Sequence, residues 1–246
     1  MLALQNSMLT VLFERGDWDE LLELCDTVVA EARRQGSGHD EVYAQADQAV
    51  VLALRQGSAA REFTESILER ARPLENAPVM LVAIIAAGLC RQAFGDHDGT
   101  KELIREALEM TTGDSIVDRV AHLPELVRLA VAGGDLGLAD QLLDGTDELT
   151  LERYRLARLA SEAVVAEATS PPDVEGALAA YEQASNGWSR WGNALELGYA
   201  QFGAARCLIL LGRSDEARGW KDAAAGVFEK LGARLVLEEV RALPTE

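Results

Sequence analysis

Three residues in the middle of the chain are spaced for chemistry: Asp118, His122 and Glu125, whose intervals of four and three place them on one face of a helix. A histidine between two carboxylates at that spacing has the groups for general acid-base work or for holding a divalent metal. Arg119 and Arg128 stand beside the trio, and mixed charges of this kind read more simply as a wetted helix face. His39 and His97 fall in loops, with no second ligand at metal-binding spacing. The chain contains no Gly-x-Ser-x-Gly elbow, no phosphate-cradling Gly-x-x-x-x-Gly-Lys-Ser/Thr loop and no cysteine with a plausible histidine base. No catalytic residue, metal or cofactor is therefore called for, and the expectation is a protein that is not an enzyme.

Residues suited to recognition are better represented. Tyr181, Trp188, Trp191, Tyr199 and Phe202 form an aromatic run close to Arg206. Tyr199, Phe202 and Arg206 follow one another at intervals of three and four, so one helical face offers two flat anchors beside a positive fork. That combination suits a carboxylate-bearing peptide or metabolite, and Arg128 adds a second positive point. Trp188 and Trp191 align with Phe228 and Leu231 forty residues later, which assigns both tryptophans to the core.

The forty-residue alignment is part of a repeat that positions everything else. Ala177 falls on Ala217, Ala184 on Ala224, Gly192 on Gly232 and Leu195 on Leu235. Gly16, Gly57, Gly95, Gly134 and Gly212 each close an apolar run and open a polar one, with Pro172 in the missing place, giving steps of 38 to 41 residues. Repeats of this length are helix pairs that bury their apolar faces on one another. The predicted pairs are 2–15 with 17–35, 41–56 with 59–72, 79–90 with 98–110, 115–132 with 136–143, 149–168 with 174–191, and 194–211 with 214–231. A last amphipathic helix, 234–243, covers the open end. Pro124 must kink or divide the first helix of the fourth pair.

Composition agrees. Aromatic residues are only 5% of the chain and strand is not expected. A net charge of −18 repels nucleic acid, and no basic cluster offsets it. The three cysteines, Cys25, Cys90 and Cys207, lack Cys-x-x-Cys spacing and fit buried core slots rather than zinc or disulfides. Residues 1–13 lack the marks of a secretory signal, and the longest apolar run, Val79 to Cys90, is too short to cross a bilayer. A cytoplasmic location is expected, with no membrane partner.

Measured from Gly212, small residues stand seven places before (Ala205) and five and twelve places after (Ala217 and Ala224). The third repeat keeps Gly88, Gly95 and Ala107 but has Thr100; the fourth keeps Gly134 and Ala139 but has Val127 and Thr146; the first keeps Gly16 and Trp18 but has Leu21 and Val28. The pattern resembles the tetratricopeptide repeat, stretched beyond its usual length. With the phrase Val227-Phe228-Glu229-Lys230-Leu231-Gly232-Ala233-Arg234 it is similar to the C-terminal arms of bacterial signalling ATPases and LuxR-type regulators. The resemblance implies an all-α, right-handed solenoid of about six antiparallel helix pairs with a capping helix, forming one domain over residues 1–246. It also implies a concave groove for a peptide, a partner domain or a small effector, lined by Tyr199, Phe202, Arg206, Arg128, Asn6, Thr10, Asp47, Arg55 and Glu162. The alternative is a self-associating module that forms a homodimer through Val79–Cys90 or the last helix.

Overall fold

The structure is a computed structural model that describes residues 2–244. Its α-helices are α1 (Leu2–Arg15), α2 (Trp18–Gln35), α3 (Gly38–Gln56), α4 (Arg61–Ala71), α5 (Ala77–Phe94), α6 (His97–Met110), α7 (Ile116–Ala121), α8 (Leu123–Ala132), α9 (Leu136–Leu143), α10 (Glu152–Ala168), α11 (Val174–Trp191), α12 (Ala194–Leu210), α13 (Ser214–Leu231) and α14 (Arg234–Ala242). They stack as antiparallel pairs into a right-handed solenoid. No strand occurs among the described residues.

Local chemistry sets the boundaries. Asn76, Asp96, Asp135, Asp173 and Asn193 each accept a hydrogen bond from the backbone N–H three residues on, at 3.0–3.1 Å, and so start α5, α6, α9, α11 and α12. Asp17 occupies the corresponding place before α2 but caps nothing; it pairs with Arg15 at 3.0 Å instead. Pro124 does divide its helix. The break falls at His122, between α7 and α8, so Asp118, His122 and Glu125 do not share one helical face.

Helix crossings are made by small residues. Ala205, Ala217 and Ala224 are fully buried, as are Cys25, Cys90 and Cys207. Cys90 and Cys207 each stand five residues before a turn glycine, but that place is not buried in every repeat, because Val11, five before Gly16, is 47% exposed. Trp188 is in the core, but Trp191 is 43% exposed and donates its indole N–H to Glu14 at 3.2 Å. The alignment with Leu231 fails there, because Leu231 is fully buried where it packs against Gly16.

The array curls until its end meets its beginning. Arg55 on α3 donates to the Leu231 carbonyl at 3.0 Å and to Asp19 at 2.7 Å. Gly16 (φ 77°) and Gly57 (φ 58°) occupy these seams, where a Cβ would come within 2.6 Å of Leu231 and 2.7 Å of Leu235. A glycine is needed at both for backbone shape and for space. The last helix, α14, caps α13 and reaches across the closure to α3 of the second pair. By length and composition α5 could span a membrane, yet 56% of it is buried in the array, between α3, α4 and α6. Val236, Leu237 and Val240 of α14 are likewise buried within the chain.

Candidate functional site

Curling encloses a channel between the first helices of successive pairs. It consists of two chambers that meet at Val50, Ile85, Glu125 and Glu196. The larger holds about 600 Å³ and is lined from α3, α5, α8, α10, α12 and α14. The smaller holds about 370 Å³ and is lined from α1, α3, α5, the α7–α8 break, α10 and α12. Both lie within or near the size of small-ligand pockets.

Tyr199, Phe202, Arg206 and Arg128 all line the larger chamber. Their chemistry differs from a free anchor set. Arg128 forms a two-pronged ion pair with Glu196 at 2.6 and 2.8 Å and lies 3.8 Å over the Tyr199 ring. Arg206 does the same with Glu167 at 2.6 and 2.7 Å, 4.3 Å over Phe202. Burial opposes each guanidinium charge, but its carboxylate partner raises the pKa further, so both arginines are firmly charged and both forks are occupied. A ligand carboxylate would have to displace Glu167 or Glu196. The positive fork expected at Arg206 is therefore not an open acceptor for an anion.

Packing fixes the wall. Tyr181 donates to Glu167 at 2.8 Å, and its ring rests on α12 because Gly203 has no Cβ, which would fall 2.3 Å from the ring. Tyr199 packs edge-on against Phe228 at 5.2 Å, and burial lifts its phenol to about 12. Phe202 shows only 5% of its surface, so it is as much core as wall.

Around the smaller chamber, Arg153 pairs with Glu14 at 2.9 Å. His122 faces it too; burial, helped by Arg153, lowers its pKa to about 4 and leaves the ring neutral at pH 7. Asp47 lines this chamber, and burial raises its carboxyl to about 7. Its Oδ2 and Glu125 Oε2 are buried and accept no hydrogen bond, and Trp188 Nε1 is a buried donor without an acceptor. Among the described residues no three histidines, cysteines or acids are grouped to hold a metal ion.

The groove assignments from the repeat pattern divide accordingly. Thr10 and Asp47 face the channel. Asn6 instead donates to Asp40 at 3.0 Å, Arg55 serves the closing seam, and Glu162 bonds Arg158 at 2.7 Å on an outer face. Glu196, Glu167 and Glu14 were not anticipated. Glu196 follows Asn193 by three places, which reads as a helix-capping pattern, and nothing local reveals a partner 68 residues away.

This architecture defines the chain as a solenoid of the tetratricopeptide type, curled around a channel. Among solved structures it is similar to a Rap protein complexed with competence and sporulation factor, with a TM-score of 0.58 and 16% identity over 97% of this chain and 70% of that one. No protein-family model matches the sequence, and no curated protein does.

Proposed function

We propose that the chain is a non-catalytic binding scaffold that takes a short peptide or small effector in its channel and serves as the sensing or assembly arm of a cytoplasmic bacterial regulator. The observation that carries this reading is the channel itself. Every helix pair contributes to it, its walls are mainly apolar, and its guanidinium groups Arg128 and Arg206 are held by partners from distant repeats. Such rigid, partly polar concavities are what ligand sites require. The similarity to a fold solved with a bound factor supports it, and the stretched repeat steps support the comparison with regulator arms.

Tyr199, Phe202, Arg206 and Arg128 form the proposed wall, with the chain working as one domain. The test exposes the purified protein to a random hexapeptide mixture and identifies retained peptides by mass spectrometry, for the wild type and for Arg206→Lys and Phe202→Leu. These substitutions are milder than truncation, because Phe202→Ala would empty a buried site and cost about 3–5 kcal/mol. A tenfold loss of retention with an unchanged melting temperature is expected. Unchanged retention with a lower melting temperature would show that these side chains only pack the core.

A further inference from the structure

The smaller chamber carries charges that its own neighbours do not balance. Several elements bring titratable groups to it: Glu14 from α1, Tyr43 and Asp47 from α3, His122 from the α7–α8 break, Glu125 from α8, Arg153 from α10 and Glu196 from α12. Arg153 is matched by Glu14, and Glu196 by Arg128. His122 is neutral, and burial holds Tyr43 protonated by raising its pKa. Asp47 and Glu125 remain. Each buries a carboxylate oxygen that accepts no hydrogen bond, although about nine-tenths or more of such atoms in folded proteins find a partner. The third unmet group in the chamber is a donor, the Trp188 indole N–H.

Two unmet acceptors and one unmet donor describe the complement of a ligand. We propose that the smaller chamber is the subsite for the cationic end of the ligand: Asp47 and Glu125 accept from a primary ammonium or guanidinium group, and the Trp188 N–H donates to a carbonyl oxygen beside it. A peptide amino terminus, or a lysine or arginine side chain next to a peptide carbonyl, presents that set. Apolar surface from Phe13, Val82 and Ile85 suits the adjoining alkyl part. An unpaired carboxylate in such a site is costly, and a cation arriving there relieves the cost in the bound state alone. The larger chamber, with both guanidinium forks occupied, receives the apolar remainder. The inference rests on the peptide reading above but reverses the sign of the charged group expected from Arg206.

The experiment uses the full chain and three probes: a random hexapeptide mixture with free amino termini, an acetylated mixture made without lysine and arginine, and spermidine. The proteins are the wild type, Asp47→Asn, Glu125→Gln and the double variant, whose carboxamides keep volume and shape; circular dichroism checks their folding. The expected result is at least tenfold greater retention of the free-amine mixture by the wild type, a preference that the double variant loses while still retaining apolar peptides. Equal retention of both mixtures by the wild type overturns the cation subsite and leaves the peptide reading standing. Binding of spermidine that the double variant loses, with no peptide retained, keeps the subsite and overturns the peptide reading. No binding of any probe overturns both, and a free-amine preference that survives in the double variant places the cation elsewhere.

Discussion

Asp47→Asn isolates the electrostatic state of the channel. In the folded chain burial raises the Asp47 carboxyl from 3.8 to about 7. A carboxyl raised on folding is most favourable to the native state at low pH, where it is protonated in both states. Stability is then lost as pH climbs from about 4 through 7, because the unfolded chain ionises first. At about 1.36 kcal/mol for each unit, the full penalty reaches about 4 kcal/mol at pH 8 and about 1.5 kcal/mol at pH 5, as upper values. His122 works in the opposite direction. Its folded value of about 4 lies below the usual 6.5, so its contribution is present above pH 6.5 and lost on acidification. It is common to both proteins and cancels in their difference. Urea unfolding followed by circular dichroism should therefore show Asp47→Asn gaining on the wild type by about 2–3 kcal/mol between pH 5 and pH 8, with an unchanged denaturant slope. A difference that is the same at both pH values would mean that Asp47 titrates as an ordinary carboxyl, and the reasoning about the unbalanced chamber would fall.

Breaking the Arg128–Glu196 pair from one side, by Glu196→Leu or Arg128→Met, should cost about 3–5 kcal/mol, because the group left behind is buried at 18% or 3% exposure. The double replacement Arg128→Met with Glu196→Leu should recover most of it, read as a double-mutant cycle in urea; additive losses would show two unrelated groups. Ala217→Trp should lose about 1–3 kcal/mol or more by overfilling a closed crossing, whereas Glu238→Ala, at an exposed place on α14, should stay within about 0.5 kcal/mol. Equal melting temperatures for these two would contradict the assignment of Ala217 to a crossing.

What could be read from the sequence is what is written locally. Glycine spacing and apolar stripes set helix limits to within a few residues, and Pro124 marked the division of α7 from α8. Curvature was not legible. It arises from small rotations summed over all the pairs, so the seams at Gly16 and Gly57, and α14 lying on α3, could not be inferred from any one repeat. The channel was legible in part for the same reason. Repeat register placed Tyr199, Phe202, Arg206, Arg128 and Asp47 on the inner side, but the pairing of Arg128 with Glu196 and of Arg206 with Glu167 depends on which inner helices face each other across the curl. That is why Glu196, Glu167 and Glu14 were not read as inner residues.

Closure also changes how the array carries load. In an open solenoid each pair leans only on its neighbours, so the ends are independent. Here α1 is tied to α10 and α11 through Glu14, which accepts from Arg153 and Trp191, and the Gly16 seam packs against Leu231. A ligand cation held between Asp47 on α3 and Glu125 on α8 would add one more tie across the same channel. Binding and closure are then linked, and the coupling must be reciprocal. Gly16→Val introduces a side chain where φ is 77° and where a Cβ alone would meet Leu231 at 2.6 Å. It should destabilise closure by about 2 kcal/mol or more and enlarge the radius of gyration in small-angle scattering. It should also weaken retention of free-amine peptides, although Gly16 lines neither chamber. A variant that opens in scattering yet binds as tightly as the wild type would show that the channel is shaped by neighbouring pairs alone, with the seam serving only to seal the ends.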